Sequence, residues 1–90
     1  MVKREIMVDN ETGLHARPAA QFVQLASKYK SEIFVMKVEQ QERINAKSII
    51  GIMAGGISKG TLISIEAEGA DEKEAVSSLA ELIQGKFGEA

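Results

Sequence analysis

The sequence predicts an α+β domain in which helices pack on one face of a mainly antiparallel four-stranded sheet. Ninety residues fit one domain with one core, so we treat residues 1–90 as a single unit. Four stretches have the alternation or the apolar composition of strands, and three others have the spacing or the capping residues of helices. Their order is strand, helix, strand, strand, short helix, strand and helix. A ferredoxin-like arrangement fits the same periodicity, so the pattern alone leaves the strand order open.

The first strand is predicted over Val2–Val8. Ile6 and Val8 lie in its apolar phase and the other phase is mostly polar, which is typical of a strand with one buried face. Arg4 interrupts the apolar phase near one end. Asp9–Gly13 is rich in turn-forming residues and is expected to carry the chain to the first helix.

The first helix is predicted over Ala16–Lys28, beside the only histidine of the chain, His15. Pro18 indicates this start, because its fixed φ and missing N–H suit the first turn of a helix. Apolar residues then recur at helical spacing and define one face to be buried. These residues are Ala19, Phe22, Val23 and Ala26.

The start of this helix is suited to an anion such as phosphate. The first N–H groups of a helix lack intrahelical partners and carry partial positive charge. Arg17 adds a permanently charged guanidinium beside them. An unprotonated imidazole is a nucleophile, so His15 is a candidate to accept a phosphoryl group whose charge is neutralised without a metal. The alternative is that His15 is an ordinary surface histidine that only titrates.

The second strand, Ile33–Val38, is the most apolar and has apolar side chains in both phases. One phase is expected to cover the core and the other to form a cross-strand cluster. The polar stretch Glu39–Glu42 is predicted to be a hairpin tip that leads into a short third strand, Arg43–Ala46.

A short second helix is predicted over Ile49–Ala54. Ser48 is a good N-cap residue, and the pair Gly55-Gly56 is a typical helix end. Three apolar residues of this segment are candidates for an exposed apolar patch. They are Ile49, Ile52 and Met53.

The fourth strand is predicted over Thr61–Ala67, with one phase buried and the phase of Leu62, Ser64 and Glu66 facing outward. The third helix is expected to begin at a capping box, in which Asp71 is followed three residues later by Glu74. Its apolar residues Ala75, Leu79, Leu82 and Ile83 continue at helical spacing towards an end near Gly85.

Composition disfavours several classes of function. A net charge of −2 and a pI near 5.4 lack the positive field that nucleic acid requires. The absence of cysteine and the single histidine disfavour a metal site, and no cofactor is expected. No segment has the apolar run of a signal peptide or of a membrane span, so we expect a cytoplasmic protein without membrane insertion.

Two segments resemble the signature motifs of the HPr family, the histidine-containing phosphocarriers of the bacterial phosphoenolpyruvate-dependent sugar phosphotransferase system. Gly13-Leu14-His15-Ala16-Arg17-Pro18-Ala19 is similar to the active-site signature of that family. The second segment, Asn45–Met53, resembles its regulatory serine segment, and the similarity as a whole runs from about Lys3 to Leu82. The resemblance implies an HPr-like open-faced sandwich with strand order 1-4-2-3 and three helices on one face.

The resemblance also implies a function. Phosphorylated enzyme I would phosphorylate His15, Arg17 would stabilise the phosphoryl group, and the group would pass to sugar-specific enzyme IIA domains. The chain would then be a substrate of enzyme I rather than a catalyst. Ser48 would be phosphorylated by an HPr kinase/phosphorylase and read by a catabolite-control transcription factor. The residues expected to dock the partners are Leu14, Ile49, Ile52 and Met53.

Two features depart from the family pattern. The connection after the second strand is longer than in many members, and Gly55-Gly56 stands where a large apolar residue usually precedes a single glycine. The glycine pair leaves the length and rigidity of the short second helix open.

Two alternative functions also stay open. One is a regulatory HPr paralogue that acts on a transcription factor or in a nitrogen-related phosphorelay, and the other is a small-molecule regulatory domain of ferredoxin-like shape.

Overall fold

Within residues 1–88, the part of the chain that the computed structural model describes, the backbone forms four strands and three α-helices followed by a 3₁₀ turn. In chain order these are β1 (Val2–Val8), α1 (Ala16–Ala26), β2 (Glu32–Lys37), β3 (Arg43–Asn45), α2 (Ile49–Ala54), β4 (Thr61–Glu68), α3 (Glu72–Gln84) and the turn Lys86–Gly88.

The four strands form one sheet in the order β1-β4-β2-β3. In the outer pair, Val2 lies opposite Ala67 and Val8 opposite Thr61, and the β2–β4 and β2–β3 pairs are also antiparallel. The order 1-4-2-3 that the resemblance implied is therefore confirmed. A ferredoxin-like sheet is also antiparallel but has a different strand order, so the order of the strands, rather than their directions, separates the two arrangements.

The core lies between the sheet and the helices. Ile63 and Ile65 project from the central strand β4 into it, and Phe22 of α1 and Leu79 of α3 meet them there. All four side chains are fully buried. The apolar face predicted for α1 is buried at three of its four positions, whereas Val23 is only half-buried. Burial of this face accounts for the position of α1.

The opposite face of β4 is more buried than its sequence pattern predicts. Ser64 and Glu66 were expected to face outward, yet they are only 6% and 5% exposed. The reason is that β4 is an interior strand whose neighbours cover it from both sides. Lys3 approaches the Glu66 carboxylate to 3.9 Å and Arg43 approaches it to 3.6 Å. Opposite charges thus surround the buried carboxylate.

The capping box predicted for α3 is wrong. Asp71 is the N-cap residue, but its side chain makes no cap hydrogen bond. The carboxylate instead accepts hydrogen bonds from the backbone N–H of Lys30 (2.9 Å) and of Ser31 (3.0 Å), and from the Ser31 hydroxyl. Asp71 therefore ties the start of α3 to the loop between α1 and β2, a contact over 40 residues of sequence that no local pattern reveals.

Because of these bonds, the contribution of Asp71 to the stability of the fold depends on pH. The hydrogen bond from the Ser31 hydroxyl, followed by that from the Lys30 N–H, lowers the pKa of Asp71 from 3.8 to about 2. A carboxyl group whose pKa is lower in the folded state stabilises the fold above its unfolded pKa. That contribution is lost as pH falls from about 4 through about 2.

We expect Asp71→Asn to unfold at a lower urea concentration than the wild type at pH 7. The gap between the two proteins should shrink as pH falls towards 2, because the wild-type carboxylate becomes protonated there. Glu39→Gln, an acid-to-amide change at an exposed position between β2 and β3, is the matched control and should leave the midpoint unchanged. A gap of constant size over the whole pH range would contradict this role of Asp71.

Candidate phosphoryl-transfer site

His15 lies at the end of the loop between β1 and α1 and is the N-cap residue of α1. Its backbone is extended, with φ −128° and ψ 158°, and the helix begins at Ala16. The predicted start of the helix beside His15 is therefore confirmed. The imidazole is half-buried and makes no cap hydrogen bond to the helix. Its position leaves the ring partly accessible at the positive end of α1.

Two backbone donors are available at this end of α1. The N–H groups of Ala16 and Arg17 precede the first intrahelical hydrogen bond, and Pro18 has no N–H. No acidic residue lies in the first turn of α1 to compete for them. This helix start therefore offers hydrogen bonds and partial positive charge to an anion.

Ala16 has a left-handed backbone conformation, with φ +52°. A non-glycine residue in this region costs about 1 kcal/mol or more and persists only where its surroundings hold it in place. The sharp turn it makes separates the extended backbone at His15 from the helix. Nothing in the local pattern of residues predicts this conformation.

Arg17 is exposed, one helical position beyond Ala16. A shallow cleft of about 240 Å³ lies beside it and is also lined by Pro18, Gln21, Phe87 and Gly88. No carboxylate of residues 1–88 forms an ion pair with its guanidinium. The charge of Arg17 is therefore not neutralised within this part of the chain.

The loop before His15 packs closely against the segment that follows α2. Gly13 has φ +64°, and a Cβ at this position would lie 2.4 Å from the carbonyl oxygen of Ile57. Only glycine fits here without moving the backbone. The next residue, Leu14, donates its N–H to the same oxygen at 2.9 Å.

Leu14 is fully buried, and this corrects an expectation from the sequence. Leu14 was expected to be part of an exposed docking surface, but its side chain belongs to the hydrophobic core. The backbone hydrogen bond to Ile57 turns the chain so that Leu14 points inward while His15 stays at the surface. The side chain of Leu14 therefore anchors the loop.

Ser48 is the N-cap residue of α2, as its sequence predicts. Its hydroxyl oxygen accepts a hydrogen bond from the Gly51 N–H at 3.0 Å. The helix ends at the glycine pair, where a Cβ on Gly55 would lie 2.7 Å from Cδ1 of Ile44, and Gly56 has φ +66°. The two glycines thus fit close packing against β3 and a left-handed turn.

An exposed apolar patch is present on α2, as expected, but the residues that form it differ from those predicted. Ile52 is fully buried in the core, so the expectation that it is exposed is wrong. Ile49 and Met53 are 39% and 44% exposed, as expected, and Ile50 is 79% exposed. Helical spacing placed Ile49, Ile52 and Met53 on one face, but which residue of that face meets the core depends on how α2 packs against α1. We call Ile49, Ile50 and Met53 the α2 patch.

The described residues contain neither a metal-binding cluster nor a membrane-spanning helix. No group of three or more His, Cys, Asp or Glu side chains in residues 1–88 is arranged to hold a metal ion. Over the same range, no helix combines the length and the apolar composition needed to cross a membrane.

Known proteins match this chain in both sequence and fold. The family model described as PTS HPr component phosphorylation site matches residues 2–85. The phosphocarrier protein HPr of Neisseria meningitidis serogroup A is 48% identical over 99% of this chain and 98% of its own length. The HPr-like protein Crh of Bacillus subtilis is 44% identical over 93% of this chain and 96% of its own.

A solved structure matches this chain over its whole length. The crystal structure of HPr-C-His from Thermoanaerobacter tengcongensis superposes with a TM-score of 0.96 at 52% identity, over 100% of this chain and 99% of that one. The fold, the family model and relatives of near full length all point to one group of proteins. This chain belongs to the HPr family of phosphocarrier proteins of the phosphotransferase system.

Proposed function

We propose that this chain accepts a phosphoryl group on His15 from phosphorylated enzyme I and passes it to enzyme IIA domains of a sugar phosphotransferase system. One observation carries the proposal. The only histidine of the chain lies half-exposed at the start of α1, next to backbone N–H groups that make no intrahelical hydrogen bond and to the Arg17 guanidinium, which has no ion-pair partner among residues 1–88. The same proposal assigns the chain to the cytoplasm, as expected from the sequence.

This chain contributes a nucleophile and positive charge to the transfer. An imidazole nitrogen of His15, by resemblance Nδ1, attacks phosphorus, so that an N–P bond forms while the bond between phosphorus and enzyme I breaks. The N–H groups of Ala16 and Arg17, together with the Arg17 guanidinium, offset the charge of the incoming group. A nucleophile on the enzyme IIA domain then attacks phosphorus, the N–P bond breaks and His15 is restored. The chain is unchanged after each cycle and acts as a carrier rather than as an enzyme.

Docking to these partners involves the α2 patch. Three apolar side chains exposed on one short helix are the kind of small apolar surface that a transient partner covers. A carrier must leave each partner after transfer, so the contacts should be small and short-lived.

A relay assay tests the proposal directly. Enzyme I and labelled phosphoenolpyruvate should label this chain, and an added enzyme IIA domain should remove the label. We expect Arg17→Ala to slow both steps by about tenfold or more, since it removes a charge aimed at the transferred group. Its stability should change by about 0.5 kcal/mol or less, because Arg17 is exposed.

Lys28→Ala is the matched control for Arg17→Ala. It also removes one exposed positive charge, but beyond the other end of α1. It should transfer at the wild-type rate. Rates of Arg17→Ala within twofold of the wild type in both steps would rule out the role of Arg17, and a wild-type chain that takes no label would rule out the carrier function.

Ser48 is proposed as a regulatory phosphorylation site for an HPr kinase/phosphorylase, with a catabolite-control transcription factor as reader. Its hydroxyl already lies at the N-terminus of α2, where a phosphate gains the helix N–H groups. A phosphoserine ester is too stable to pass its phosphate onward, so the effect would be on binding. Added negative charge next to Ile49 would oppose docking of an apolar surface.

Ser48→Asp is therefore expected to lower the rate of His15 phosphorylation by enzyme I about tenfold. Ser48→Ala should keep the rate while losing about 1 kcal/mol of stability, because it removes the cap. Ser77→Asp places the same charge at an exposed position of α3 and should have no effect. Equal rates for all three variants and the wild type, with no labelling of Ser48 by the kinase, would leave Ser48 as a helix cap only.

The match to the HPr-like protein Crh shows that this chain also resembles a paralogue of HPr, so a second candidate stays open. This candidate is a regulatory paralogue that acts on a transcription factor or in a nitrogen-related phosphorelay. A chain that acts only on a transcription factor would be labelled on Ser48 by the kinase but would pass no phosphate from His15 to an enzyme IIA domain. A chain of a nitrogen-related phosphorelay would accept phosphate on His15 and would differ from the sugar carrier in the partner that receives it.

A further inference from the structure

Asn10 is a buried polar residue in the loop between β1 and α1. Its side chain is 1% exposed. Nδ2 donates a hydrogen bond to the Gly13 carbonyl oxygen at 2.9 Å and makes a longer contact of 3.4 Å with Oγ1 of Thr12. Oδ1 is buried and has no hydrogen-bond partner among residues 1–88. Burying an amide group is unfavourable unless it forms hydrogen bonds. Because only the Nδ2 side of Asn10 is bonded, the structural role of this side chain depends on its donor.

The bond from Asn10 completes the support of a single peptide group. The peptide between Gly13 and Leu14 has its carbonyl held by Asn10 Nδ2 at 2.9 Å and its N–H held by the Ile57 carbonyl at 2.9 Å. A peptide group is planar, so holding both ends fixes its orientation. This peptide group lies one residue before His15. The side chain of Leu14, the residue between them, is itself fixed in the core.

Other contacts of the loop are weaker supports. Asp9 pairs with Lys86 at 3.7 Å and Glu11 with Lys59 at 2.9 Å, but all four of these side chains are about half exposed or more. Exposed ion pairs contribute little and are screened by salt. Asn10 is thus a buried side chain that holds the loop leading to His15 in place by a hydrogen bond.

We infer that Asn10 is a positioning residue for His15. The left-handed backbone of Ala16 requires support from both sides. Pro18 restricts the chain after it, and the doubly bonded Gly13–Leu14 peptide restricts the chain before it. Loss of the Asn10 donor frees this peptide to rotate and lets the imidazole leave the helix N-terminus. This inference rests on the proposed phosphoryl transfer, in which the position of the imidazole sets the rate.

Two variants test the inference. Asn10→Asp keeps the shape of the side chain but replaces the donor facing Gly13 by an acceptor, and Asn10→Ala removes the side chain. With wild-type phosphorylated enzyme I, we expect kcat for His15 phosphorylation to fall about tenfold in both variants. KM for enzyme I should stay within twofold, because the α2 patch is unaltered. The NMR signals of the His15 ring and amide should shift in both variants.

Tyr29→Phe is the matched control. It also removes one side-chain hydrogen bond, from the Tyr29 hydroxyl to Ser78 at 2.7 Å, beyond the far end of α1, which is about 16 Å long. It should change neither kcat nor the His15 signals. Equal slowing by Tyr29→Phe, or unchanged kcat and unchanged His15 signals in both Asn10 variants, would overturn the inference.

The outcome is distinct from that of the proposed function. If enzyme I does not phosphorylate the wild type, the carrier proposal fails. The His15 ring and amide signals still decide the positioning role in that case, since they require no partner.

Discussion

The His15→Ala variant should accept no phosphoryl group from enzyme I and pass none to an enzyme IIA domain. His15 is the only histidine of the chain, so no other imidazole can replace it. The backbone donors and Arg17 stay in place, but they bind charge and supply no nucleophile. The expected loss is complete in both directions, and it is measured as label on the chain and as label transferred onward.

The loss should occur without unfolding. His15 makes no side-chain cap hydrogen bond, so its replacement should change the free energy of unfolding by about 0.5 kcal/mol or less. Circular dichroism and a urea midpoint equal to that of the wild type serve as the control. A folded His15→Ala chain that still takes label above background would show that the acceptor lies elsewhere.

Leu14→Ala should have the largest effect on stability among the residues of the active-site motif. The Leu14 side chain is fully buried, and truncating such a leucine costs about 2–5 kcal/mol. A small domain has a total stability of about 5–15 kcal/mol, so this loss is a large fraction of the total and should lower the urea midpoint clearly. Urea denaturation of the variant measures this loss.

Ile50→Ala is the matched comparison for Leu14→Ala. It also removes an apolar side chain, but one that is 79% exposed, so stability should change by about 0.5 kcal/mol or less. Instead, KM for enzyme I should rise, because the α2 patch is smaller. A Leu14→Ala chain with the urea midpoint of the wild type and a raised KM for enzyme I would show that Leu14 contacts the partner. That result would contradict the role of Leu14 in the core.

Regular elements were predictable because their signals are local. The bounds of β1 and α2 agree with the sequence, since alternation of apolar residues sets the first and a Ser cap with a glycine end sets the second. The position of His15 at the N-cap of α1 followed from Pro18 in the same way. Strand order did not follow from periodicity, and the resemblance to a family supplied it.

Burial and long-range bonding were less predictable, because they depend on residues distant in sequence. Glu66 is covered by side chains of two other strands, and Asp71 binds a loop 40 residues away. Leu14 and Ile52 are apolar residues that were expected to dock partners, but their side chains pack into the core. Asn10 carried no signal in the sequence. The roles of His15, Arg17 and Ser48 stay predictions until transfer is measured.

Phosphorus NMR of the wild-type chain after incubation with enzyme I and phosphoenolpyruvate tests the central claim most directly. A phosphohistidine contains an N–P bond, so the expected result is an acid-labile phosphoramidate signal, assigned to Nδ1 of His15. An acid-stable phosphoester as the only product would contradict transfer through His15.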